Sequence, residues 1–167
     1  MIYALLNALI LLALSLLHFY WAFGGRWGMN AALPERDGVK VLHPHMVDSL
    51  IVAIGLAGFA ALHLYHMGWP RMNLPGWLAQ YGLWAVGGIF LLRVVGDFRY
   101  VGLFKRIRNS QFAYWDTRLY VPLCLILSLN AFLLATSPRP LSATTDRLER
   151  ERGDLPKSNY AQGNYHY

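Results

Sequence analysis

Charge is scarce in this chain. Asp, Glu, Lys and Arg make up 14% of its 167 residues, against roughly 25% in an average soluble domain, which is too little to clothe a surface facing water. Cysteine is nearly absent: Cys124 stands alone, so an intrachain disulfide is excluded and the redox compartment is left open. The shortage of charge is also localised. Residues 1–25, 49–70, 72–92 and 119–138 hold no Asp, Glu, Lys or Arg and run for 25, 22, 21 and 20 residues. A helix rising about 1.5 Å per residue needs about 20 apolar residues to cross a hydrocarbon core of about 30 Å. Each stretch is long enough to cross once, and none is long enough to cross twice.

The pattern predicts an all-α fold, an integral membrane four-helix bundle over residues 1–137 with helices at 2–23, 47–67, 77–98 and 119–136. A polar tail, 138–167, is rich in Asn, Gln, Gly and Tyr towards its end and is expected to be disordered. A soluble helical protein is excluded by residues 5–17, which are apolar almost all round and leave no polar stripe for water. The first segment is expected to be a retained helix. No Lys or Arg precedes it, and His18, Tyr20, Trp21 and Phe23 stand where a signal peptide carries small residues.

Small residues suggest how the helices meet. Ala53, Ala57 and Ala61, with Gly55, Gly58 and Ala60 alongside, and Gly82, Gly87 and Gly88 in the next helix, predict close backbone approach. The short turn between helices two and three makes them antiparallel neighbours. Pro122 is expected in the first turn of helix four, with Asp116 or Thr117 as its cap.

Loops one and three carry Arg26, Arg36, Lys40, Arg99, Lys105, Arg106, Arg108 and Arg118, whereas the short turn on the opposite face carries Arg71 alone. The bias of basic residues predicts an inner (cytoplasmic) membrane protein with loops one and three in the cytoplasm. The five basic residues of the tail pull the other way. The net charge of +6 and pI of about 9.7 point in this setting to anionic membrane lipids rather than nucleic acid.

Antiparallel threading gathers His18, Trp21, Asp48, Arg93, Asp97, Arg99, Asp116, Arg118 and Tyr120 on one membrane face, beside Gly24 and Gly25, where a backbone can approach a ligand closely. Ionisable groups at membrane depth commonly face the bundle interior and mark a functional site. Arg93 and Asp97, four residues apart, are positioned to pair on one helical face. Two interpretations compete. In one, the arginines reach to the headgroups and merely anchor the helix ends. In the other, Arg93 and Arg99, with Trp21, Asp116, Arg118 and Tyr120, bind an anionic group, and His18 and Asp97 are the candidates for proton transfer. The segment 99–120 interleaves basic and aromatic residues, as an interfacial segment lying on anionic lipid does.

No cofactor or metal is expected. His63 and His66 share a helix face near the opposite surface and read as packing or interfacial hydrogen-bonding residues, since His18 lies at the wrong depth to complete a two-helix haem site. His43 and His45 stand on the His18 face and could join His18 and Asp48 around a metal, but the loop does not require it.

His18 to Gly28, HFYWAFGGRWG, and Leu91 to Cys124, LLRVVGDFRYVGLFKRIRNSQFAYWDTRLYVPLC, resemble the two signature regions of a bacterial family of small four-helix membrane proteins, domain of unknown function 3995. The resemblance runs over about 5–135 and implies a membrane location and this architecture, without supplying an activity. His18, Trp21, Gly24 and Gly25 match the first region; Arg93, Gly96, Asp97, Arg99, Tyr100, Asp116, Thr117, Arg118 and Tyr120 match the second.

The expectation is a multi-pass protein, more a binding protein than an enzyme, whose polar face takes anionic lipid headgroups or a partner subunit, its own second copy included. The alternative is a membrane-embedded enzyme or carrier acting on a lipidic or quinone-like substrate with His18 and Asp97. A transporter is disfavoured, because four helices without a repeat leave little room for alternating access.

Overall fold

The computed structural model describes residues 2–36, 39–40, 45–69, 74–97, 99–107 and 110–137. Four helices are long and apolar enough to cross a membrane: Ile2–Ala22, Met46–His66, Gly76–Val95 and Gln111–Thr136, here the first to fourth spans. A one-turn helix, Met29–Ala32, and a two-residue antiparallel pairing of Glu35 with Lys40 and Arg36 with Val39 belong to the loop after the first span. The sequence-expected tail, Arg71 and His43 lie outside the described residues.

The outer faces of the spans are apolar. Leu9 is 57% exposed, Ile51 65%, Leu92 70% and Leu129 52%. Hydrophobic surface continuous around a bundle has no place in water and suits hydrocarbon.

Inside, the spans pair as two tight hairpins. The first packs most extensively on the second and the third on the fourth, while the second and third share only a small contact. The reason is the distribution of small residues. Ala4, Ala8 and Ser15 are buried on the first span, Ala53 and Ala60 on the second, and the Ser15 hydroxyl donates to the Ala53 carbonyl at 2.7 Å. In lipid such close packing replaces the hydrophobic effect as the force between helices. Gly87 lies under the Phe132 ring, where a Cβ would come within 2.5 Å of it, and the Ser128 hydroxyl donates to the Gly87 carbonyl at 2.8 Å. Across the two hairpins, Gly82 of the third span lies under Leu62 of the second. Gly55, Gly58 and Gly88 have nothing within 4 Å of a notional Cβ, so the close approach expected of them does not occur. The two hairpins meet through larger side chains, among them Leu11, Leu56, Leu62, Leu83, Phe90 and Leu127.

Two helix ends differ from the sequence-based expectation. The third span stops at Val95, not at position 98, because Gly96 takes φ 84° and ψ −169°, a conformation essentially restricted to glycine. The fourth starts at Gln111, not at position 119. Ser110 is its cap, accepting the Ala113 N–H on its hydroxyl at 3.0 Å, so Asp116 and Thr117 lie inside the helix rather than at its cap. Asp116–Tyr120 forms a π-helical turn, with the Val121 N–H on the Asp116 carbonyl. Pro122 therefore sits within a continuous helix, and the widened turn just before it accommodates a residue that has no N–H to give.

Candidate functional site

The widened turn sets the phase of the fourth span. Phe112, Ala113, Asp116 and Val121 face inward and are buried, while Tyr114, Trp115, Arg118 and Leu119 are exposed. Asp116 is wholly buried, a position that an ionised carboxylate occupies only with partners. Its partners come from two directions. Arg93, in the last turn of the third span, donates through Nη2 to Oδ1 at 2.8 Å. Lys105, 4% exposed, donates to Oδ2 at 2.8 Å, and the Gly102 N–H donates to the same oxygen at 2.9 Å. The Lys105 ammonium also reaches the Thr117 hydroxyl at 2.6 Å.

The loop after the third span is folded so that Gly102 and Lys105 arrive there. Asp97 Oδ1 accepts the N–H groups of Arg99, Tyr100 and Val101 at 2.9, 2.7 and 2.9 Å. The Leu103 N–H returns to the Val94 carbonyl at 2.9 Å. Gly96 and Gly102, at φ 84° and 88°, cross back to back at the neck of the loop. Desolvation pushes the Asp97 carboxyl up, but the backbone donors, that of Val101 foremost, outweigh it and hold the group below its ordinary value.

Among the described residues the cluster thus sets two cations against one carboxylate. The Arg93 side chain is 31% exposed, but its second terminal nitrogen, Nη1, is buried and has no hydrogen-bond partner among the described residues. The excess of one positive charge lies at the membrane face where the first and third spans end.

The sequence-based candidates divide. Arg93 and Asp116 come together; Tyr120 closes the same π-helical turn that Asp116 opens, and its hydroxyl donates to the Ala31 carbonyl at 3.2 Å, tying the loop after the first span to the fourth. The helical pairing of Arg93 with Asp97 is corrected, since the helix has ended before Asp97 and Arg93 is committed to Asp116. Arg118 folds onto Tyr114, donating to its hydroxyl at 2.6 Å with the guanidinium 4.4 Å from the ring centre. Arg99 lies over Tyr100. Trp21 donates to the Trp27 carbonyl at 2.9 Å and stands edge-on to His18. His18 donates from Nδ1 to the Leu14 carbonyl of its own helix at 2.8 Å. Asp48 accepts the His45 N–H at 2.8 Å as a helix cap. Gly25 lies under the Tyr20 ring rather than in the open, while Gly24, at φ 91°, has nothing near it.

Lys105 and Thr117 belong to the cluster although the sequence reading treated Lys105 as a headgroup-facing charge. A second polar site lies deeper in the bundle. Asn7, His63 and Asn130 meet inside the other half of the bundle, buried to 0, 0 and 9% exposure. His63 gives its Nδ1 proton to the Phe59 carbonyl at 2.8 Å, so Nε2 is free to accept from Asn7 at 3.1 Å. Asn7 also donates to the Leu127 carbonyl at 3.0 Å and accepts from Asn130 at 3.0 Å. His63 is therefore a core residue tied to three spans, not an interfacial one. The available signal was three polar residues at matching depth in apolar helices, the same depth argument that gathered the first cluster. Side-chain hydrogen bonds in membranes average about 0.6 kcal/mol. Asn7→Leu, which removes three, should therefore cost about 2 kcal/mol, and Asn130→Leu about a third of that. Reversible unfolding in mixed micelles measures both, and equal losses would contradict a network centred on Asn7.

Four apolar crossings around an apolar core that holds two polar clusters define a multi-pass membrane protein with a four-helix bundle. A family model described as a protein of unknown function, DUF3995, matches residues 11–131, and the chain belongs to that family. No curated protein and no solved structure matches it.

Proposed function

We propose that this protein binds anionic lipid headgroups at the membrane face formed by Arg93, Lys105, Asp116 and Tyr120. The observation that carries this reading is the charge imbalance: among the described residues two cations converge on one buried carboxylate, and the Arg93 side chain remains 31% exposed. A phosphate or carboxylate there balances the charge and takes charge-assisted hydrogen bonds. Exposed Arg99, Arg106 and Arg118, among exposed Leu103, Phe104, Tyr114 and Trp115, surround the cluster with the groups that favour an anionic bilayer surface. The basic residues of loops one and three support an inner-membrane location with this face in the cytoplasm. A topology reporter inserted after Leu103 that is active only outside the cytoplasm overturns that orientation.

Arg93→Gln leaves Asp116 paired with Lys105 and removes the excess charge. Native mass spectrometry should then find bound phosphatidylglycerol reduced about tenfold, the effect of losing one charged hydrogen bond, while Asp97→Asn retains it. Unchanged retention in Arg93→Gln overturns the reading, and co-purification of a stoichiometric protein in place of lipid assigns the face to a partner subunit.

A further inference from the structure

The loop between the third and fourth spans carries two large apolar side chains outward at a fixed height. Gly76–Val95 is 20 residues long, which at about 1.5 Å per residue matches a hydrocarbon core of about 30 Å, so Val95 stands at the hydrocarbon boundary. From there an extended chain could carry Leu103 more than about 20 Å into water. It does the opposite. The Leu103 N–H donates to the Val94 carbonyl at 2.9 Å, back at the helix end, and Leu103 and Phe104 are 53 and 60% exposed there. Their neighbours on both sides are fixed. The Gly102 N–H and the Lys105 ammonium donate to the same oxygen of Asp116, at 2.9 and 2.8 Å, and the Ile107 N–H closes the loop on the Arg99 carbonyl at 3.0 Å. Tyr114 and Trp115, next to Asp116 in the chain, are exposed, as aromatic residues are where a membrane meets water. Arg99 and Arg106 are exposed on either side of the apolar pair.

We infer that Leu103 and Phe104 form a rigid wedge seated in the lipid leaflet, their side chains among the upper acyl chains and Arg99 and Arg106 at the phosphates. This goes beyond headgroup binding at Arg93, because the partner is the leaflet itself and no side chain of the ion cluster has to touch it. The return of the backbone to Val94 sets the depth. The flanking arginines complement an anionic surface, as basic residues beside buried apolar ones do in interfacial segments. Since Gly102 and Lys105 bracket the pair and share Asp116, the wedge is held by the same carboxylate that Arg93 meets.

Depth is measurable in the full chain. With Cys124→Ala as background, a nitroxide is attached at Leu103→Cys or at Phe104→Cys, both exposed positions, and the protein is placed in nanodiscs of phosphatidylcholine and phosphatidylglycerol. Power-saturation EPR reads collisions with oxygen, which concentrates in lipid, and with a nickel chelate, which stays in water. The oxygen-to-nickel ratio should rise severalfold above that of free label in buffer at one position or both, towards the value at Leu92→Cys on the outer face of the third span. If neither position shows the rise, the wedge is overturned: a ratio equal to that of free label puts the loop in water, and shielding from both colliders puts it beneath a protein partner or a second copy. Phosphatidylglycerol retention by Arg93 is read separately, so headgroup binding stands or falls independently of this ratio.

Discussion

Asp116→Ala should cost about 3–5 kcal/mol, the range found when one member of a buried ion pair is removed and its partner is left charged. Here two partners are left. Lys105 is 4% exposed and has no route to solvent without moving the loop that carries it, and the Gly102 N–H loses its acceptor as well. Arg93, at 31% exposure, relaxes more easily towards the headgroups. The loss should therefore come mainly from Lys105, and a double variant separates the causes. Lys105→Met with Asp116→Leu removes the trapped cation together with the carboxylate, and should recover more than half of the stability lost in Asp116→Ala. Unfolding in mixed micelles at fixed detergent ratio is the measurement. A double variant as unstable as the single one would mean that the cost lies in packing around the π-turn instead of in unpaired charge.

Gly102→Ala should be nearly as damaging, for an unrelated reason. At φ 88° an L side chain costs about 1–2 kcal/mol in backbone strain alone. The new Cβ would also stand 2.6 Å from Gly96 Cα and from the Val95 carbonyl oxygen, and neither is the end of a flexible side chain. Relief requires the neck of the loop to open, which withdraws the Gly102 N–H and Lys105 from Asp116. A loss of about 3 kcal/mol or more is expected once overpacking is added to strain. Gly24→Ala is the control: φ is 91°, but nothing lies within 4 Å, so only the strain applies. A Gly102→Ala variant no worse than Gly24→Ala would refute the close crossing of the loop. Its retention of lipid should fall in parallel with its stability, whereas Arg93→Gln should lose lipid without comparable unfolding.

The membrane architecture was legible because it depends on a one-dimensional quantity, the length of apolar sequence between charges. The first two helix ends fell within a residue of the expected ones on the same basis. The end of the third and the start of the fourth did not, since charge marks where the bilayer interface begins and not where hydrogen bonding stops. Gly96 ends one helix by its backbone conformation, and Ser110 starts the other through its hydroxyl, on the far side of Asp116 and Arg118. Depth was legible too, and it placed Arg93, Asp116 and Tyr120 on one membrane face. Depth alone does not choose partners. Asp97 was the sequence neighbour of Arg93 at helical spacing, yet the carboxylate that Arg93 meets is 23 residues away, brought round by a loop whose crossing needs two glycines in left-handed backbone.

By itself, then, the sequence determined that the chain spans lipid four times, with its ionic groups gathered at membrane depth, because the cost of burying charge in hydrocarbon fixes where charges may stand. Only the tertiary structure decided that Lys105 leaves the surface to share Asp116 with Arg93, and that His63 lies inside the bundle with Asn7 donating to it. Those outcomes depend on angles and on distances of a few ångströms between residues remote in the chain, which hydropathy and spacing do not encode.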